Sequence, residues 1–181
     1  MSKRLPNFLQ GDTPERLLRA TTTERDRVLL MVFLYLGLRV SELSKLRVEH
    51  IDFRAAALLV FQGKGGKDRL LPLPKRFAGV LRGWVGARAE GYVFPSRRGG
   101  PLKPRAIQLL VKRVALAAGL PGALEPKRYH PHTLRHTMAT RMLDRTDNLI
   151  AVRDALGHAS VATTQIYTHL TGERLRQHME I

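Results

Sequence analysis

The sequence predicts a mixed α+β fold, mainly α-helical, with a small antiparallel three-stranded sheet at one edge. Two observations carry this. Apolar residues recur at helical spacing through most of the chain, as in Phe77, Val80, Leu81 and Trp84. Three short strand-like runs, by contrast, are confined to residues 51–73 and include a glycine-rich turn. A third observation bears on domain number: no sequence repeats occur, and no linker is long enough to split the 181 residues. Residues 1–181 are therefore expected to form a single domain around one core.

Taken in order, Asp12 or Thr13 followed by Pro14 reads as an N-cap and first-turn proline opening a helix to about Arg19. Glu24 to Leu38 reads as the second helix, with Gly37 supplying the stop. Its Val28–Leu36 run is apolar almost all round, which implies burial. Next, in Gly37-Leu38-Arg39-Val40-Ser41-Glu42-Leu43, Ser41 can cap a short helix from Glu42 to Leu46. That leaves Arg39 just ahead of a helix N-terminus, an end that favours anions. Ile51-Asp52-Phe53, Ala57 to Phe61, and Leu70-Leu71-Pro72-Leu73 are the three strands. Between the last two, Gly63-Lys64-Gly65-Gly66-Lys67-Asp68 reads as a hairpin tip bearing two lysines. It is only superficially a P-loop: no G-x-x-x-x-G-K-[ST] aligns, and no helix follows at once.

Phe77, Val80, Leu81 and Trp84 then define an amphipathic helix, with Trp84 read as a packing residue. Tyr92-Val93-Phe94-Pro95 is a short extended piece, and Ser96-Arg97-Arg98-Gly99-Gly100-Pro101 is a basic loop. Ile107, Leu110, Val111 and Val114 mark another helix, closed by Gly119 and Pro121. The next helix begins near Pro131 and carries Leu134, Met138 and Met142 as an apolar stripe. Asp147 or Asn148 can cap a helix to Leu156, ended by Gly157-His158. Ser160 caps one carrying Tyr167, and Gly172–Ile181 reads as a last amphipathic helix.

Composition narrows the function classes. Lys plus Arg number 31 against 15 Asp plus Glu, a net charge of +16. Such a surplus points to a polyanionic partner, most often nucleic acid, although membrane-surface proteins share it. The absence of cysteine excludes disulfides and thiolate metal sites. The chain start shows no apolar signal segment, and the Val28–Leu36 run is far short of the roughly 20 residues a membrane span needs. A soluble, cytoplasmic protein without membrane contact is expected. The 44% hydrophobic content argues for a folded chain rather than a basic tail.

Chemistry concentrates in Pro131-His132-Thr133-Leu134-Arg135-His136, where helical spacing puts His132 and Arg135 on one face. Taken locally, a basic surface helix without a site is the better explanation, and Arg39 alone reads as a structural ion-pair residue. The full set of phosphate-handling candidates is Arg39, Lys64, His132, Arg135 and His158, with Tyr167 as a nucleophile.

At this point the sequence resembles a family, the tyrosine recombinases, most of all those of Xer and phage-integrase type. The motifs are Gly37–Leu43, Gly63-Lys64-Gly65-Gly66-Lys67, His132-Thr133-Leu134-Arg135-His136, Leu156-Gly157-His158 and Thr163-Thr164-Gln165-Ile166-Tyr167-Thr168-His169. Their order and separations match too, with Tyr167 nine residues after His158. The resemblance implies a tyrosine recombinase catalytic-domain fold, double-stranded DNA as partner, and cleavage through a covalent 3′-phosphotyrosine. A 5′-hydroxyl of another strand would then attack that ester, so neither ATP nor another cofactor is needed.

Attack on a phosphodiester builds negative charge, which many nucleases meet with metal ions on clustered carboxylates. No such acidic cluster accompanies these residues. Two arginines, Arg39 and Arg135, can do the same electrostatic work with planar forks. Tyr167, with an ordinary pKa of about 10, needs their field and a base, for which His132 is placed. Lys64 is the candidate general acid for the leaving 5′-oxygen; the family register favours it over Lys67. His158 would donate a hydrogen bond to the phosphate. Lys67, Arg69, Arg97, Arg98, Lys103 and Arg105 are the expected DNA contacts. A zinc site on His130, His132 and His136 is disfavoured, because no acidic ligand or general-base glutamate accompanies them. His136 reads as structural, Tyr35, Tyr92 and Tyr129 as packing residues, and His50, His169 and His178 receive no role.

The chain also departs from the family. Only 38 residues precede Arg39, so the family's amino-terminal clamp domain is expected to be absent and DNA binding to rest on one basic face. In relatives the carboxy-terminal helix docks into another recombinase protomer; residues 172–181 fit that role, or fold back in cis. Two rival functions remain at this stage, a non-catalytic DNA-binding module and a type IB topoisomerase.

Overall fold

The computed structural model describes residues 8–61, 68–125 and 128–157. The elements run α1 (Thr13–Arg19), α2 (Glu24–Leu36), α3 (Val40–Ser44), a 3-10 turn (Val48–His50), β1 (Ile51–Asp52), β2 (Ala57–Val60), β3 (Arg69–Pro72), α4 (Lys75–Val85), α5 (Pro104–Ala117), α6 (Pro131–Thr146) and α7 (Leu149–Leu156). Helices dominate, and the sheet is antiparallel in the order β1-β2-β3, as the sequence pattern predicts.

α2 is the axis of the core. Val28, Leu29, Leu30, Val32, Phe33 and Leu36 are all buried, because a helix apolar on every side lowers its free energy only where neighbours cover it all round. α6, α4 and α1 pack against it. Thr23 caps its start, accepting from the Asp26 amide at 3.2 Å. Asp26 is itself buried, its carboxylate held by Arg25 at 2.8 Å and by Arg113 of α5 at 2.7 Å. Trp84 is part of this packing: its Nε1 donates to the Val93 carbonyl at 2.9 Å. Tyr35 stacks on Phe77, and the buried Tyr129 donates to the Pro121 carbonyl at 3.0 Å.

Several boundaries differ from the sequence expectation. α2 ends at Leu36, two residues early, because Gly37 turns left-handed (φ 59°) and its amide closes on the Phe33 carbonyl. α3 starts at Val40 with Arg39 at the N-cap position, so Ser41 is inside the helix. The Glu42 carboxylate reaches back to the Arg39 amide at 2.7 Å and supplies the cap that Ser41 was expected to give. Phe53 and Phe61 fall outside their strands. β3 shifts to Arg69–Pro72; Pro72 is tolerated because β3 is an edge strand, and Leu73 still donates to the Ala56 carbonyl.

The stripe on α6 divides. Leu134 joins the main core. Met138, Ala139 and Leu143 instead form a second cluster with Val152 and Leu156 of α7, and Met142 packs on it. α7 is thus attached to the body mainly through α6, by a few side chains. Among the described residues no helix is long and apolar enough to cross a membrane.

Candidate active site

Arg39, at the start of α3, and Arg135, which shares α6 with His132, come from separate elements and meet at the C-terminal end of α7. That helix ends at Leu156, and Gly157 caps it with φ 64°, leaving its last carbonyls without helical partners. Three arginines take them in succession. Arg69 donates from Nε to the Ala155 carbonyl (3.1 Å), Arg135 from Nη2 to Leu156 (2.7 Å) and Arg39 from Nη2 to Gly157 (3.1 Å). Guanidiniums suit this end, where the helix dipole is negative. Arg135 also donates from Nη1 to the Gly37 carbonyl at 2.5 Å. Gly37 cannot be replaced cheaply here because its φ is positive; a Cβ would also require the flexible end of Met138, 2.3 Å away, to move.

Glu42 is the residue the sequence analysis missed. Its Oε1 accepts from Arg39 Nη1 (2.8 Å) and Arg69 Nη1 (2.9 Å), and its Oε2 accepts from Arg69 Nη2 (3.0 Å). Arg135 Nη1 stands 4.0 Å from Oε2. Burial alone would raise the Glu42 carboxyl; the hydrogen bonds from Arg69 and the Arg39 amide, with the Arg69 charge, outweigh it and hold the pKa below its usual value. One buried anion therefore gathers three cations, which would otherwise repel one another. The signal available in the sequence was Glu42 three residues after Arg39, the spacing of a reciprocal cap.

The same geometry corrects Arg69. Expected as a DNA contact, it is 9% exposed and spends all three guanidinium nitrogens on Glu42 and Ala155. Arg97, Arg98, Lys103 and Arg105 are exposed. Arg105 also lines an open cleft of about 510 Å³ with Gln108, Lys112, Val40, His130 and His132. The loop bearing Arg97 and Arg98 is closed by the Ser96 amide on the Gly100 carbonyl at 2.7 Å. Lys64, Lys67, His158, Tyr167 and residues 172–181 lie outside the described residues.

His132 is exposed at the first turn of α6, its ring 5.9 Å from that of His130. Burial of part of the ring, then the charges of Arg135 and Arg39, lower its pKa below the usual 6.5. At pH 7 it is a neutral base beside two guanidiniums. Half-buried His136 is pulled down further, to about 4, first by burial and then by His132, Arg135 and His130. In the unfolded chain its value is near 6.5, so the unfolded state binds the proton more tightly below that pH. The stability it contributes is whole above pH 6.5 and is lost as pH falls towards 4. A loss on the order of 2 kcal/mol is expected between pH 7 and pH 4.5, read as a lower urea midpoint; His136→Gln should flatten that pH dependence. Among the described residues no group of three or more His, Cys, Asp or Glu is arranged to hold a metal ion.

Comparison with known proteins agrees with this picture. The phage integrase family model matches residues 7–174. The chain is 41% identical over 180 residues to tyrosine recombinase XerC of Xanthomonas axonopodis pv. citri, covering 96% of this chain and 57% of that protein. It is 36% identical over 175 residues to a tyrosine recombinase of Pseudothermotoga lettingae, covering 94% of this chain and 59% of that protein. It thus spans little more than half the length of these relatives. Among solved structures, XerA recombinase superposes with a TM-score of 0.81 at 32% identity, over 97% of this chain and 65% of that one. XerH site-specific recombinase in a post-cleavage complex with palindromic difH substrate gives 0.79 at 26% identity, over 98% and 54%. The helical body with its small sheet is therefore a recombinase catalytic-domain fold, and the chain belongs to the phage integrase family.

Proposed function

We propose that residues 1–181 act as the catalytic part of a site-specific DNA recombinase that cuts and rejoins DNA through a 3′-phosphotyrosine on Tyr167. The observation that carries this is the convergence of Arg39 and Arg135 on adjacent carbonyls at the end of α7, with neutral His132 beside them. Two guanidiniums, each with five N–H donors in a fixed fork, match the non-bridging oxygens of one phosphate. In the cleavage step the Tyr167 oxygen bonds to phosphorus and the bond to the 5′-oxygen breaks. The Tyr167 proton passes to His132, and Lys64 protonates the leaving oxygen. Arg39 and Arg135 offset the charge that builds on the phosphorane, and His158 donates a further hydrogen bond. Rejoining reverses the step with a 5′-hydroxyl from another strand. One ester replaces another each time, so neither ATP nor a metal ion enters the balance. XerH, a relative described in complex with its DNA site before and after cleavage, supports DNA as the substrate.

Lys67, Arg97, Arg98, Lys103 and Arg105 would grip the flanking phosphates, and residues 172–181 would meet a second recombinase protomer. With about five such contacts, affinity should fall roughly 10²–10³-fold between 50 and 200 mM salt. The test is a nicked duplex carrying a recombinase site, incubated with the protein and run on a denaturing gel. A covalent protein–DNA band is expected without added metal and in the presence of EDTA. Salt-sensitive binding with no band would instead favour a non-catalytic DNA-binding module.

A further inference from the structure

Of the three arginines on the end of α7, Arg69 is the one whose Nη1 and Nη2 both bond the Glu42 carboxylate. Its Nε holds the Ala155 carbonyl, and its Nη1 and Nη2 clasp the two oxygens of Glu42. Glu42 also binds Arg39, and it lies 4.0 Å from Arg135. A carboxylate in that place is a rival to any phosphate arriving at the same two arginines. Without Arg69, Glu42 would hold Arg39 more tightly and draw Arg135 in from 4.0 Å, since an underpaired buried charge is costly. We infer that Arg69 is a positioning residue for strand cleavage. It keeps Glu42 paired and the last turn of α7 in place while Arg39 and Arg135 engage the scissile phosphate. The base of the sheet, where Arg69 opens β3 opposite Val60, is thereby tied to the helix end that precedes His158.

This inference rests on the proposed cleavage activity and is tested with the full chain in two arms. In the first, single-turnover adduct formation is measured at saturating DNA. Arg69→Met should lower the cleavage rate constant about 10–100-fold and leave DNA affinity within about twofold. Arg69→Lys should recover little, because one ammonium cannot span two carboxylate oxygens and a carbonyl. Glu42→Gln combined with Arg69→Met should be no slower than the slower single variant, since both break the same Glu42–Arg69 pair and the double variant also removes the rival carboxylate charge. Fully additive losses, or weaker DNA binding at an unchanged rate constant, would overturn the proposal. The second arm needs no activity. Amide hydrogen exchange at residues 154–157 should quicken about tenfold in Arg69→Met while α2 stays protected; unchanged exchange there would also overturn it. If the wild-type chain forms no adduct, the cleavage reading itself has failed, and the exchange arm still decides whether Arg69 holds α7.

Discussion

Tyr167→Phe is expected to abolish the covalent protein–DNA band while leaving DNA affinity within about twofold. The substitution removes one oxygen, which in the proposed mechanism forms the ester bond to phosphorus. Phenylalanine has no group that can replace it, so the residual signal should be that of the background, a fall of at least about 10³-fold. Binding should persist, because the charges proposed to grip the DNA, those of Arg97, Arg98, Lys103 and Arg105, are untouched. The ring keeps its volume, so packing is little disturbed. Tyr35, Tyr92 and Tyr129 supply the control. Tyr129 is buried with its hydroxyl on Pro121, Tyr35 stacks on Phe77, and the Arg47 guanidinium lies over the Tyr92 ring. Phenylalanine at Tyr35 or Tyr92 should leave the adduct yield unchanged. A band that survives Tyr167→Phe would assign the nucleophile elsewhere and sink the mechanism.

What the sequence made legible was the local chemistry. Helical spacing on α6 placed Leu134 in the core and, with the Gly37–Leu43 motif, singled out Arg39, His132 and Arg135. The stops at Gly37 and Gly157 were readable because a left-handed cap leaves a glycine at a predictable place. What was not legible required distant partners. Arg69 looked like one more basic residue after a basic hairpin, and nothing within its own stretch shows that its partners lie 27 and 86 positions away, at Glu42 and Ala155. The carbonyls of α7 were invisible for the same reason: every residue has one, and only the tertiary fold shows which are orphaned. The start of α3 was misplaced because Glu42 outcompetes Ser41 as the capping group, and the reach of a long side chain back over a turn is set by its tertiary neighbours.

Arg135→Ala should cost both cleavage and stability, and the two losses should separate by variant. Arg135 is 5% exposed, and its guanidinium joins the Gly37 carbonyl at the end of α2 to the Leu156 carbonyl at the end of α7. Truncation leaves two buried acceptors without this donor and a void behind them, a cost of about 3–5 kcal/mol. Against a total of about 5–15 kcal/mol for a domain, that is a large share. Most of it should appear as opening of α7, because Arg135 bridges the main core to the smaller cluster of Met138, Ala139, Leu143, Val152 and Leu156. Arg135→Lys keeps the charge and much of the volume but cannot fork to two carbonyls, so it should unfold at a temperature nearer the wild type. Its cleavage rate should still fall about 10²–10³-fold, the scale for losing a preorganised donor at a developing anion. Thermal melting followed with single-turnover cleavage on the same samples checks this. A lysine variant that cleaves at the wild-type rate would show that Arg135 only braces α7, and would leave Arg39 as the sole arginine acting on the phosphate.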